Sequence, residues 1–161
     1  MKKTYLVLVF SMGTILSCSK IPGIKVDIDR ETFEKEYAAW EAQNIENYVF
    51  TFDYMGNSTG PIGPATVSVQ NNESTILENQ TPGRVPIVQN VKELFDFIGR
   101  SLDNIERSLE DKDKNKEYPL KSVTLKVTYN EQYHYPEKVK NAYITPGLGS
   151  SFELNITEFV P

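Results

Sequence analysis

The sequence predicts an α+β domain: a four- or five-stranded antiparallel sheet with two helices packed on one face, in the order α-β-β-α-β-β-β. Three observations carry this reading. Two segments space their apolar residues for a helix, and several shorter ones alternate apolar and polar residues with period two. The neighbouring strands are joined by turn residues rather than by helices, which favours antiparallel pairing. The alternation also divides the sheet into an apolar face for the helices and an open face rich in Thr, Lys, Asp and Glu.

The first helix runs from about residue 30 to 47. Asp29 stands at its N-cap position, where a carboxylate can accept from the next turn's N–H groups. Phe33, Tyr37 and Trp40 form its apolar stripe, with Ile45 less cleanly placed, and the stripe assigns Trp40 to the core. Tyr48, Phe50, Phe52 and Tyr54 then alternate with Val49, Thr51 and Asp53 as a strand. Residues 56–64, rich in Gly, Pro, Ser and Asn, read as a long hairpin loop leading to a second strand at Ala65–Gln70. Asn71-Asn72-Glu73 reads as a turn, Ser74–Leu77 as a short additional strand, and Asn79–Val88, with Pro82-Gly83 and Pro86, as irregular.

The second helix is the strongest local signal. Asn90 and Glu93 form a capping-box pattern. Val91, Leu94, Phe95, Ile98, Leu102, Ile105 and Leu109 follow on one face, with Asp96–Arg100 and Asp103–Arg107 spaced for ion pairs on the other. After a charged connection at 111–117, Val123, Leu125, Val127 and Tyr129 mark a strand and Asn130–His134 a turn. Pro136 opens a further strand to Thr145, with Val139, Asn141 and Tyr143 on one side. Pro146–Gly149 turns the chain into a last strand carrying Phe152, Leu154 and Ile156.

The beginning of the chain predicts an address. Met1-Lys2-Lys3 followed by the apolar run Tyr5–Leu16 fits a secretory signal. The run is shorter than the roughly 20 residues a bilayer-crossing helix needs. Ile15-Leu16-Ser17-Cys18 resembles the bacterial lipobox, whose cysteine sulfur is the nucleophile that takes a diacylglyceryl group. Residues 1–17 are therefore expected to be a cleaved signal peptide and Cys18 the lipidation site. Residues 18–29 are expected to be a tether reaching about 35 Å at most, and residues 30–161 a single domain. Acyl chains on Cys18 give stable membrane anchoring. Ser19, in place of the Asp that retains lipoprotein at the inner membrane, favours the outer membrane where there are two. Cys18 is the chain's only cysteine, so acylation leaves no disulfide, thiol catalysis or Cys-based metal site.

The formal net charge is −5 and becomes more negative once Lys2 and Lys3 are removed. An acidic surface argues against a nucleic-acid partner and against a second, electrostatic hold on anionic lipid. The chain has one His, His134, which excludes most base-activated nucleophiles and most zinc sites. Asp27, Asp29 and Glu31 alternate but lack the glycine and distal glutamate of a calcium loop. No cofactor is expected. Tyr129, Tyr133, His134 and Tyr135 gather near one hairpin and are the candidate binding residues, because amphipathic rings suit sugar or protein surfaces.

One resemblance is carried by the helix bearing Trp40, the strand start Ile45-Glu46-Asn47-Tyr48-Val49-Phe50, Val67-Ser68-Val69, Leu94-Phe95 with Ile98, Val127-Thr128-Tyr129 and the late strand start Tyr135-Pro136. This pattern, from about Phe33 to Val160, is similar to a family of small bacterial lipoproteins that carry a domain of unknown function. The resemblance implies an envelope location and brings no catalytic residues. Where members often show Gly-Tyr-Pro, this chain has His134-Tyr135-Pro136, and His takes a positive φ less readily than Gly.

The expected protein is a lipid-anchored envelope domain that binds a protein or glycan partner without catalysis. Two alternatives stand beside it. One is a carboxylate-type enzyme acting on envelope polymers. The other is an inhibitory or structural module using the 57–64 loop.

Overall fold

The computed structural model describes residues 24–84, 86–111, 120–146 and 148–161. In chain order the elements are β1 (Lys25–Asp27), α1 (Arg30–Gln43), β2 (Tyr48–Gly56), β3 (Gly60–Gln70), β4 (Glu73–Asn79), α2 (Val91–Glu110), β5 (Ser122–Tyr129), β6 (Pro136–Thr145) and β7 (Leu148–Val160). All seven strands form one sheet, in the order β1-β5-β6-β7-β2-β3-β4.

This corrects the expected four- or five-stranded antiparallel sheet and its α-β-β-α-β-β-β order. The sheet is mixed, because β1 pairs with β5 in parallel, Val26 facing Val123. Both added strands lie at edges, where sequence periodicity is weakest. β1 has only three residues and sits inside the stretch read as tether. β4 extends the short Ser74–Leu77 strand at both ends and pairs on one side only, with β3. The long hairpin loop is also corrected. β2 and β3 are joined by Asn57–Thr59 alone, and Gly60–Pro64 belongs to β3. A register shift opposite Phe52/Tyr54 accommodates this segment. Gly63 there has φ 96°, and a Cβ would lie 2.8 Å from the Phe52 carbonyl oxygen. Thr81 and Gln80 meet the free edge of this segment, Thr81 Oγ1 accepting from Gly63 N at 2.9 Å and Gln80 N donating to Pro64 O at 3.0 Å. Pro64 falls in the register shift, outside the paired positions, where a missing N–H is tolerated.

α2 forms where its cap and stripe predict; α1 starts at its predicted cap but ends at Gln43, short of the expected end near residue 47, which leaves Ile45 outside it. Asp29 Oδ1 accepts from Thr32 N at 2.9 Å. That backbone bond, followed by the one from the Thr32 hydroxyl, holds the Asp29 carboxyl below its usual range. α1 stops at Asn44, which takes the left-handed conformation at φ 50°. Asn90 Oδ1 accepts from Glu93 N at 2.7 Å, while the Glu93 carboxylate reaches back to Gln89 N at 2.8 Å. The Asp103–Arg107 pairing is replaced by a longer-range one. Asp103 turns to Arg30 of α1 at 2.7 Å, and Glu106 holds the same guanidinium with both oxygens at 2.7 Å.

Both helices cover the same face of the sheet. Tyr37 stacks on Phe95 with centroids 4.8 Å apart, and Phe33 lies 6.1 Å from Phe95. A Cβ on Gly99 would stand 3.3 Å from the Phe33 ring, so α1 and α2 approach closely there. Trp40 meets the rings of Tyr48 and Phe159 edge-on. Beneath them lie Phe50, Phe52, Val67, Val69, Val123, Val139 and Leu154, each almost fully buried. No helix among the described residues is long and apolar enough to cross a membrane.

Tyr48 ties sheet to helix. Its hydroxyl accepts from Val91 N at 2.9 Å, satisfying an N–H that the first turn of α2 leaves without an intrahelical partner. Burial pushes the phenol up to about 12 against the Val91 bond, with Glu93 adding to the rise. The folded protein therefore keeps this proton at pH values where the unfolded chain, near 10, has lost it. Stability is expected to fall as pH rises from about 10 to 12. Tyr48→Phe should show a shallower fall across that window, and near neutral pH it should be less stable by about 1 kcal/mol because Val91 N loses its partner. Urea denaturation across the alkaline range checks both. Equal slopes in the two proteins would contradict the assignment.

Candidate functional site

With Tyr48, Phe50, Phe52 and Tyr54 turned inward, the strand period forces Val49, Thr51, Asp53 and Met55 outward. The strand registers then align the open face into rows. Lys126 of β5 lies opposite Lys140 of β6, which lies opposite Glu153 of β7, which lies opposite Met55 of β2. A second row runs through Thr128, Lys138, Asn155 and Asp53. A groove of about 470 Å³ follows the first row, and Asn57, Thr124, Ala142, Ser151 and Phe152 complete its walls. Among the described residues, no helix packs over this face.

The electrostatics of the face follow from the register. Lys126 and Lys140, directly opposed, would repel. Carboxylates to either side offset this: Lys126 Nζ is 3.0 Å from Asp27, and Lys140 Nζ is 2.9 Å from Glu153. Glu153 also takes Lys138 at 2.6 Å. The Lys138 bond, then the Lys140 bond, hold its carboxyl below the usual range. Asn155 donates to Asp53 at 2.9 Å, and the Thr51 and Thr66 hydroxyls meet at 3.0 Å. These are solvent-accessible contacts, each worth about 0–1 kcal/mol. A ligand could exchange them for its own contacts at little cost. Met55, 55% exposed, supplies an apolar contact at the β2 end of the row.

The four hairpin residues are brought together by one turn but sit at different depths. Asn130 organises the turn, its Oδ1 accepting from Gln132 N at 3.0 Å and Tyr133 N at 2.8 Å. Tyr135 is buried, its ring stacked on Phe159 at 4.5 Å. Tyr129 is partly buried and faces Phe95, and burial, then Glu36 and Asp29, raise its phenol pKa. Tyr133 packs against Phe159 at 5.5 Å and remains partly exposed, as does His134. Tyr129, Tyr133 and His134 thus keep some surface to offer a ligand, and Tyr135 does not. Cys18 lies outside the described residues.

His134 stands at a position whose backbone would suit glycine. It takes the glycine-like conformation, at φ 61°. Its N–H donates to Asn130 O at 2.9 Å, and its Nδ1 lies 2.7 Å from Oε2 of Glu36 on α1, a side chain only 13% exposed. The side chain therefore links the turn to the helix in return for the strained backbone.

Sequence reasoning assigned the polar face but not its rows. Lys126, Lys140, Glu153 and Met55 come from four strands, and only the registers bring them into line. The Asp29 and Glu153 carboxyls are both held below the usual carboxylate range, away from what a general acid needs. Among the described residues, no three His, Cys, Asp or Glu side chains gather to hold a metal ion. Asp27 faces Lys126 and Asp29 caps α1.

Replacing His134 separates its two roles. His134→Gly loses the Glu36 contact but relieves the left-handed backbone. His134→Ala loses the contact and keeps the strain. The alanine variant should be less stable than the glycine variant by about 1 kcal/mol, measured by urea denaturation. Equal stabilities would remove the strain argument.

A model for a family of unknown function, DUF6174, matches residues 32–146. No curated protein and no solved structure matches the chain. The matched segment runs from the first turn of α1 to the end of β6 and includes Trp40, the Asn47-Tyr48 strand start and Tyr135-Pro136. The chain belongs to the family of unknown function DUF6174.

Proposed function

We propose that this protein is a lipid-anchored domain of the bacterial cell envelope that binds a protein or glycan partner, without catalysis, through the uncovered face of its sheet. The observation that carries the reading is the row Lys126–Lys140–Glu153–Met55 across four strands, with the groove of about 470 Å³ along it. The row offers two ammonium groups, a carboxylate and an apolar thioether within one shallow surface. That mixture suits a partner carrying both charges and a small apolar group, such as a peptide or an amino-sugar polymer. The acidic net charge of −5 disfavours nucleic acid.

The address rests on the sequence. Ile15-Leu16-Ser17-Cys18 supports acylation at Cys18, and Ser19 supports the outer membrane in an organism that has one. Tyr133 and His134, at the β5–β6 turn, are a second contact available to a large partner.

Charge and shape changes on the two faces test this reading. The full chain, reconstituted in vesicles, would be mixed with radiolabelled envelope fragments and the bound fraction measured. Lys126→Glu with Met55→Glu should lower binding about tenfold or more, the scale of a few lost contacts. Lys92→Glu, on exposed α2, should leave binding unchanged. Equal losses from both faces, or none from the open face, would overturn the proposal.

A further inference from the structure

The geometry points to one corner of the sheet, formed by Lys25, Lys121 and Ile144, as the surface that rests on the lipid bilayer. This deepens the reading above and rests on acylation of Cys18. Three backbone segments meet at the corner. Lys25 N donates to Lys121 O at 3.1 Å, and Lys121 N donates to Ile144 O at 2.9 Å. Lys25 and Lys121 are exposed, Ile144 is 47% exposed, and Val26 beside them is 39% exposed.

The length of chain beyond the sheet selects the bilayer as occupant. β1 starts at Lys25, so much of the stretch first read as tether belongs to the fold. Six peptide steps separate Cys18 from Ile24, and fully extended they reach at most about 22 Å. With acyl chains inserted, the β1 start cannot leave the headgroup region by more than that.

Chemistry then sets the orientation. The chain is acidic overall, so most of its surface is repelled by anionic headgroups. The corner is a local exception to that charge, presenting two ammonium groups that an anionic lipid surface attracts. Ile144 adds an apolar side chain of interfacial size. Tether and charge therefore favour the same end of the sheet.

One consequence concerns the far end. β5 runs away from the corner for eight residues, about 26 Å at 3.3 Å each. The Asn130–Tyr135 turn, with Tyr133 and His134, is thereby held away from the membrane. The open face stands between the two ends and stays accessible from the side.

The test uses the full acylated chain in vesicles of phosphatidylethanolamine and phosphatidylglycerol containing a headgroup-nitroxide lipid. A thiol-reactive fluorophore is placed at Ile144→Cys in one protein and at Gln132→Cys in another. Quenching should be several-fold stronger at position 144. Adding Lys25→Glu and Lys121→Glu to the Ile144→Cys protein should bring its quenching toward the level at 132. Equal quenching at the two positions, or stronger quenching at 132, in protein whose acyl mass is confirmed would overturn the corner and leave the anchor standing. An unmodified Cys18 by mass spectrometry would overturn the anchor reading and the corner with it.

Discussion

Everything in this fold depends on the last strand lying in the middle of the sheet. β7 pairs with β6 on one side and with β2 on the other. Without it the chain would hold two separate three-stranded sheets, β1-β5-β6 and β2-β3-β4. The last strand thus joins its hairpin neighbour β6 to β2, laid down far earlier, and the non-local β2–β7 pairing is entropically demanding to form. Its side chains repay this on both faces. Leu154 and Ile156 are buried under the helices. Phe159 is the common neighbour of Trp40, Tyr48, Tyr133 and Tyr135. Glu153, pointing the other way, organises Lys138 and Lys140. The aromatic core and the open-face groove are two sides of one strand.

A second constraint is the ratio of helices to sheet. Two helices serve a seven-stranded sheet, and the aromatic contacts place both on one face. The other face is left to polar pairs whose partners are neighbours across the strands. A sheet face of this kind is stable in water and still exchangeable, since each exposed pair contributes little. That balance is the ground for proposing the uncovered face as a partner site. The tyrosine-rich turn, in contrast, is mostly committed to the core through Tyr135 and to α1 through His134 and Glu36.

The helices and the long strands were legible in the sequence because their periodicity is strong. Asp29 and Asn90 cap where their side-chain chemistry says they should, and Tyr48–Tyr54 alternates without interruption. The edges were not legible. Three residues of β1 cannot show a period, and their strand identity comes from pairing with Ser122–Thr124. β3 was half hidden because its Gly-Pro segment reads as a loop, and only the bulge and the Thr81 contacts explain its strand geometry. The polar face was foreseen, but the alignment of Lys126, Lys140, Glu153 and Met55 is a property of register, which local sequence does not encode. Of the expected family, the domain of unknown function is met by the match over residues 32–146, and the lipoprotein character expected with it stays a proposal.

Hydrogen exchange on the intact domain tests the central position of β7 most directly. Backbone amides from Glu153 to Ile156 should exchange among the slowest in the protein, because opening them requires the two halves of the sheet to part. Those of β1 and β4 should exchange much faster. If the β7 amides exchanged as fast as those of the two edge strands, the strand would not join the halves, and the core and groove built on it would lose their common support.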